Sequence, residues 1–353
     1  MKTWAWRGSA SQANFMPEQP IKTGFIHRQS AHCESGATSN LLRNCGLDIS
    51  EALVFGIGSG LFFGYFPFIK IQNQPLITFR NAPGRILKNT AKRLGVRIES
   101  FKFKNPEKAM DALDDMLSKG IHVGLQAGVY WLPYFPPPLR FHFNAHTLVA
   151  YGMDGNDYLI SDPVFDEPVI CPRKDLMKAR FAEGTFAPKG KMYYLAEIPK
   201  KINLPLAITK GIKETCRVMI KTPLPLIGVR GIRFLAKRIK EWPKKYGKRK
   251  ASLYLGHIIR MQEEIGTGGG GFRLMYAAFL QEAADILKEN HLSDMSKRMT
   301  GIGDKWREFA LFGARICKGR SLDGDNYETL GNIMLDCAEA EYLLYKDLLE
   351  VIR

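Results

Sequence analysis

The sequence has no closely paired cysteines. Its six cysteines (33, 45, 171, 216, 317 and 337) include no CxxC pair, and its seven histidines form no zinc-ligand pattern with them. The first 20 residues also contain no continuous apolar stretch of signal-peptide length. Scattered cysteines without an export signal are typical of a reducing compartment, so we expect a cytoplasmic protein without a metal site.

Long hydrophobic runs are also scarce. The longest uncharged stretch, residues 52–69, has 18 residues and reaches only the lower limit for a membrane-spanning helix. Four glycines and Pro67 interrupt it, and these residues disfavour a continuous helix. The pattern therefore predicts a buried, sharply turning segment beside the functional site and no membrane span.

Acidic residues are nearly missing from one part of the chain. The formal net charge is +16, and residues 200–260 carry 17 Lys or Arg against two acidic residues, Glu214 and Glu241. This basic segment fits a solvated helical face, an acidic partner surface or, less well, nucleic acid or anionic lipid. Aromatic residues are few in it and no nucleic-acid-binding signature is present, so we expect no nucleic-acid partner.

Residues 48–200 alternate between helix and strand patterns, whereas the remainder of the chain shows only helix patterns. The turn sequence Asp154-Gly155, between two apolar runs, predicts an antiparallel hairpin. We therefore expect an N-terminal extension (1–23), an α+β domain (24–200) and an all-α domain of five or six helices (201–353).

One cysteine stands directly before a predicted helix. Ala37, Leu41, Leu42 and Cys45 follow a helical apolar spacing, and Gly46 is placed as the left-handed residue after the last turn. Cys33 then lies at the helix N-terminus, where free N–H groups and the helix dipole stabilise a thiolate. Cys33 is therefore either a nucleophile or a small packed residue.

The predicted hairpin supplies groups that would activate such a thiol. With the turn at Asp154-Gly155, His146 lies within a residue or two of being opposite Asp162. A histidine can take the thiol proton, and a carboxylate on its other ring nitrogen fixes its tautomer. Asp166 or Asn144 could replace Asp162, and a hydrogen-bonded core histidine remains the alternative.

Four segments resemble a known family. They are the sequence from His32 to Phe66, "LPY" at 132–134, "AHTLVAYGMDGNDYLISDP" and "GGGGFRLMYAAFLQEAA". They are similar to the butirosin biosynthesis protein H family of aminoglycoside N-acyltransferases and, in the N-terminal part, to papain-like cysteine enzymes. The resemblance implies a papain-like α+β domain in which Cys33 is the nucleophile, His146 the base and acid, and Asp162 the orienting carboxylate.

The resemblance also implies an oxyanion donor. Papain-like enzymes often place a glutamine six residues before the cysteine, but His27 holds that position here and Gln29 lies four residues before Cys33. Gln29 and the backbone N–H of Cys33 are therefore the candidate donors.

Two further segments contain candidate substrate-binding residues. Tyr130 and Tyr134 belong to an aromatic loop that is either a stiff surface loop or a wall of the site. Gly268, Gly269 and Arg273 form either a linker between helices or a cradle for an anionic group such as a pantetheine phosphate.

The favoured hypothesis is an acyltransferase that moves an acyl group from a thioester donor to an amine of a small molecule. The donor would be an acidic acyl carrier protein whose phosphopantetheine arm serves as substrate, and no resident cofactor is expected. A peptidase or amidase with the same nucleophile and a non-catalytic binding protein are the alternatives.

Overall fold

The computed structural model describes residues 24–265 and 268–352, and the predicted extension at 1–23 lies outside them. Its helices are α1 (Cys33–Asn44), α2 (Glu51–Ile57), α3 (Arg85–Leu94), α4 (Pro106–Ser118), α5 (Arg173–Arg180), α6 (Leu204–Lys221), α7 (Gly228–Lys240), α8 (Trp242–Glu263), α9 (Arg273–Leu287), α10 (Asn290–Cys317) and α11 (Tyr327–Val351). Its strands are β1 (Leu61–Ile71), β2 (Gln74–Arg80), β3 (Arg97–Phe101), β4 (Val123–Ala127), β5 (His146–Asp154), β6 (Asp157–Ser161), β7 (Val169–Pro172) and β8 (Met192–Glu197). The predicted combination of an α+β N-terminal part with a helical C-terminal part is confirmed.

The chain forms two compact units. The first contains the described residues up to Glu51 together with Gly95–Lys201, and the second contains Ala52–Leu94 together with the described residues from Ile202 onward. This division differs from the predicted ranges, because residues 52–94 belong with the C-terminal helices. The predicted boundary near residue 200 coincides with the third point at which the chain passes between units.

The first unit is built on a six-stranded antiparallel sheet. Its strand order is β3-β8-β4-β5-β6-β7, and α1 packs on β4, β5 and β8. The predicted hairpin is present: β5 pairs with β6, and Gly155 in the turn has a φ of 58°, a conformation that glycine adopts without strain. The core lies mainly under α4 and α5 and includes Leu113, Leu125 and Leu148.

Packing within the second unit explains why residues 52–94 belong to it and not to the predicted N-terminal domain. The strands β1 and β2 form a two-stranded antiparallel sheet, which cannot bury both of its faces alone. Phe63 and Phe79 on these strands pack against Trp306 of α10, with ring centroids 6.2 and 5.7 Å from the indole. The apolar side chains of the hairpin are thus buried by helices that come much later in the chain.

The apolar run 52–69 turns sharply from α2 into β1, as predicted. The prediction that it is buried beside the functional site is wrong, because Phe68 and Ile69 are exposed and the run belongs to the second unit. Gly211 of α6 lies so close to α2 that a Cβ atom there would come 2.5 Å from the carbonyl oxygen of Gly56. Across the described part of the chain, no helix is both long enough and apolar enough to span a membrane.

Candidate active site

Cys33 is the first residue of α1, and its side chain is only 6% exposed. His32 is the N-cap, with extended backbone angles, and its ring accepts a hydrogen bond from the backbone N–H of Ser35. Gly46 follows the helix with a φ of 84°, as predicted. The thiol therefore stands at the positive end of a helix of three turns, where a thiolate is electrostatically stabilised.

The residues that precede Cys33 are held by a carboxylate that the sequence did not reveal. Glu51 accepts hydrogen bonds from the backbone N–H groups of Ala31 (2.9 Å) and His32 (2.8 Å), and from the hydroxyl of Ser35 (3.0 Å). Burial raises the pKa of Glu51, and the three hydrogen bonds only partly counter that rise. Glu51 thus holds the start of α1 from both sides of Cys33.

His146 and Asp162 meet at the open end of the hairpin. Strand pairing places Val149 opposite Ser161, so continuing the register puts Asp162 opposite Leu148, two residues from His146. Residues two apart on a strand share a face. Nε2 of His146 lies 2.6 Å from Oδ2 of Asp162, and both side chains are buried.

The imidazole of His146 also faces Cys33. Burial alone would lower its pKa, but the charge and hydrogen bond of Asp162, followed by a hydrogen bond and charge interaction with Cys33, raise the pKa of His146 from 6.5 to about 10. The imidazole lies between a thiol and a carboxylate, so it is stabilised in its protonated form. This is the papain-like arrangement that the resemblance implies.

The aromatic loop fixes the carboxylate. Tyr134 donates a hydrogen bond to Oδ2 of Asp162 at 2.9 Å, and the backbone N–H of Val164 donates to Oδ1 at 3.3 Å. The ring of Phe135 stands edge-on to that of His146, with centroids 5.5 Å apart. The loop therefore forms a wall beside His146 and Asp162, one of the two roles considered for it.

A second group of polar residues anchors the end of β6. Nδ1 of His27 lies 2.7 Å from Oγ of Ser161, and its Nε2 lies 3.0 Å from the carbonyl oxygen of Phe165. Asn40 on α1 donates to the same Ser161 hydroxyl at 3.3 Å. The side chain at the position expected for a papain-like glutamine thus ties the strand that precedes Asp162 to the segment before Cys33.

Two alternatives to Asp162 lie elsewhere. Asn144 is buried, and its amide donates to the carbonyl oxygens of Glu183 and Thr185, whereas Asp166 is exposed. Gln29 is exposed as well. Tyr130 is half-exposed, and its ring stacks on His142 with centroids 4.3 Å apart.

Arg273 is not placed to bind a ligand. Its guanidinium is fully buried, donates to both carboxylate oxygens of Glu341 at 2.9 and 3.0 Å, and also donates to the carbonyl oxygen of Gly271. This pairing corrects the predicted anion cradle, because a buried Glu341 requires the same cation. Gly268 is exposed, and Gly269 lies against the guanidinium of Arg307.

Within 24–265 and 268–352, no three His, Cys, Asp or Glu side chains are grouped closely enough to hold a metal ion. The residues that come together in the first unit are instead a thiol, an imidazole and a carboxylate, flanked by Glu51 and Tyr134. Sequence reasoning missed Glu51 because its partners lie 16 to 20 residues earlier in the chain. It named Tyr134 for substrate contact, whereas the structure places its hydroxyl on Asp162.

Parts of the chain are similar to known protein families and to one solved structure. Residues 174–348 match a domain of unknown function, DUF4872. A solved structure of a Bacillus anthracis protein assigned as a C39-like peptidase is 14% identical, covers 52% of this chain and 100% of its own, and has a TM-score of 0.35. No curated protein matches the chain. Residues 32–163 match the family described as butirosin biosynthesis protein H, N-terminal, so this part of the chain is similar to that family.

Proposed function

We propose that this protein is a cysteine-dependent acyltransferase that moves an acyl group from a thioester donor to an amine of a small molecule. The observation that carries the proposal is the single imidazole of His146, which is hydrogen-bonded to Cys33 on one side and to the buried carboxylate of Asp162 on the other. The similarity of residues 32–163 to the butirosin biosynthesis protein H family supports a biosynthetic rather than a degradative role.

In the first step, the thiolate of Cys33 attacks the thioester carbonyl and forms a tetrahedral intermediate. Its oxyanion can accept a hydrogen bond from the backbone N–H of Cys33 at the start of α1, with exposed Gln29 as a further candidate donor. When the intermediate collapses, the bond to the donor sulfur breaks and His146 gives its proton to the leaving thiolate. The products are acyl-Cys33, a free donor thiol and a neutral imidazole.

In the second step, an amine attacks acyl-Cys33. His146 takes the proton that the amine nitrogen loses, and the carbon–sulfur bond to Cys33 breaks to release an amide and the thiolate. The original thiolate and imidazolium are thereby restored.

The electrostatics of His146 suit both steps. In the free enzyme, the interactions with Asp162 and Cys33 hold the imidazole protonated, ready to act as an acid. Acylation removes the charge of Cys33, and with it part of what raises the pKa of His146, while burial still lowers that pKa. The same ring therefore becomes a better base when the amine has to be deprotonated.

An acidic acyl carrier protein remains the proposed donor, because the basic segment 200–260 would attract it. Hydrolysis uses the same steps with water in place of the amine, so a peptidase or amidase is the rival function. A non-catalytic binding protein would need neither the Cys33 thiol nor the paired His146 and Asp162.

Intact mass spectrometry separates these functions. The protein is mixed with a small acyl thioester, with and without a primary amine, and acyl-enzyme, free acid and amide are measured. We expect an acyl adduct on Cys33 that the amine discharges to amide. Cys33→Ala should give no adduct, whereas Cys45→Ala, which removes an exposed cysteine, should behave as wild type. Free acid formed at the same rate with and without amine would indicate a hydrolase, and no adduct under any condition would indicate a binding protein.

A further inference from the structure

A groove between α6 and α11 gathers cations in the second unit. Lys213, Arg217 and Lys221 follow one another at intervals of four along α6, and Lys346 faces them from α11. The groove has a volume of about 530 Å³ and contains one carboxylate, that of Glu350. We call this feature the α6–α11 groove.

The cations of the α6–α11 groove make no ion pair with any residue in the described ranges, although other cations of the same unit do. Arg298 pairs with Asp347 at 2.7 Å, and Lys305 pairs with Asp336 at 3.1 Å. Asp347 directly follows Lys346 in the chain, yet its carboxylate is bound by Arg298 on α10. The carboxylate of Asp347 is therefore engaged elsewhere, and Glu350 is the acid that α11 contributes to the groove.

The row along α6 is unfavourable in the free protein. Like charges four residues apart lie on the same helical face and destabilise the helix. Apart from Glu350, the remaining walls are not charged: Ile220 and Leu349 are half-buried, and the ring of Tyr342 is 37% exposed. The groove thus combines unpaired positive charge with an apolar and aromatic surface, and a bound anion would relieve the repulsion.

We propose that the α6–α11 groove binds a small ligand that carries at least two phosphate groups on a flat or apolar body, the chemical class of the nucleoside diphosphates. Its volume lies within the range of about 300 to 1,000 Å³ found for small-molecule sites. The guanidinium of Arg217 can bind a phosphate through two parallel hydrogen bonds, and the lysines supply point charges. The body of the ligand lies against Tyr342, Ile220 and Leu349.

One feature favours a small ligand over a long acidic protein segment. Glu350 places a negative charge among the walls of the groove. A long polyanion would have to pass this carboxylate, whereas a compact diphosphate can avoid it. This binding site is independent of Cys33 and of the proposed acyl transfer.

Isothermal titration calorimetry with the full chain tests the site, with ADP, pyrophosphate, inorganic phosphate and an acidic peptide as separate probes. The groove variant is Arg217→Glu with Lys346→Glu. Its matched control is Lys318→Glu with Arg320→Glu, which changes the net charge equally at exposed positions outside the groove. Circular dichroism checks that both variants keep their helix content, and Tyr342→Ala tests the contact with the ligand body.

We expect saturable binding of ADP and pyrophosphate that is tighter than that of phosphate. The groove variant should bind ADP at least about 10-fold more weakly, because each lost charged hydrogen bond is worth about this factor, while the control stays close to wild type. Tyr342→Ala should weaken ADP and leave pyrophosphate unchanged. The proposal is overturned by equal losses in both double variants, which would show diffuse attraction, or by no saturable binding of either diphosphate. Preference of the groove for an acidic peptide over ADP would also overturn it and assign a protein partner.

Discussion

The hydroxyl of Tyr134 donates to Oδ2 of Asp162 at 2.9 Å. The same oxygen lies 2.6 Å from Nε2 of His146, so one carboxylate oxygen is the hydrogen-bond partner of both the phenol and the imidazole. Burial, and then the charge of Asp162, raise the pKa of Tyr134 well above its ordinary value, which keeps the phenol protonated as a donor. Tyr134 is thus a positioning residue that holds the carboxylate in line with His146.

Tyr134→Phe should keep the fold and slow acylation of Cys33 by about 10-fold, the cost of one hydrogen bond to a charged group. The loss should be in the single-turnover rate and not in donor affinity, because Tyr134 acts through Asp162. Tyr130→Phe, in the same loop, is the control and should acylate at the wild-type rate. Equal acylation rates in the wild type and both variants would show that Tyr134 does not position Asp162.

Asp162→Asn should slow acylation by several orders of magnitude, since the corresponding change in a Ser-His-Asp enzyme costs about 10⁴-fold. Without the carboxylate, burial dominates and the pKa of His146 falls. The imidazolium is then lost at lower pH than in the wild type, so the high-pH limb of the acylation profile should move to lower pH. A stopped-flow pH series measures both effects, and an unchanged rate with an unshifted profile would show that Asp162 plays no part.

Cys33 should be the cysteine alkylated fastest at pH about 6 by iodoacetamide, although Cys45 is more exposed. The pKa of His146 is about 10, so below that pH its imidazolium stabilises the Cys33 thiolate. Above that pH the imidazolium is lost, and the stabilisation is lost with it. Partial burial raises the pKa of Cys45, so that thiol stays protonated at low pH and reacts only as the pH rises.

Peptide mass mapping across a pH series follows both cysteines, with Asp162→Asn as the comparison. In that variant the low-pH advantage of Cys33 should disappear. Faster labelling of Cys45 than of Cys33 at every pH in the wild type would contradict the nucleophile assignment.

Glu51→Gln should lower the free energy of unfolding by about 1–3 kcal/mol, because both carboxylate oxygens accept hydrogen bonds at the start of α1 and a glutamine amide has only one acceptor oxygen. Acylation of Cys33 should also slow, since the thiol would be held less firmly. Denaturant unfolding and single-turnover kinetics measure the two effects. Glu167→Gln changes an exposed carboxylate in the same unit and should alter neither. Matching behaviour of the two variants would contradict the role of Glu51.

Reversal of Lys244, Lys245, Lys248 and Arg249 to glutamate should weaken acyl transfer from an acidic carrier protein. These residues are exposed, and attraction between protein surfaces is screened over about 8 Å at physiological ionic strength. Transfer from a small free thioester should scarcely change, and the defect should diminish as salt is added. Equal loss with both donors would indicate misfolding, and no loss with either would leave the segment as a solvated face.

Local patterns were sufficient for several elements. The helix that begins at Cys33 and the hairpin turn at Gly155 are formed as predicted. Each of these depends on residues a few positions apart, so the information lies within a short window. The pairing of His146 with Asp162 was also accessible, because a tight turn fixes the register of its strands.

Only the tertiary structure decided the rest. Residues 52–94 belong to the second unit because the apolar faces of β1 and β2 need Trp306, more than 200 residues later, to be buried. The sequence predicted Arg273 as a candidate anion-binding residue. In the structure its guanidinium is paired with Glu341, 68 residues away. The sequence by itself determined the helix and hairpin that present the thiol, imidazole and carboxylate. Folding decided which distant side chains, Glu51 and Tyr134 above all, support them, because such contacts depend on long-range packing that no local pattern records.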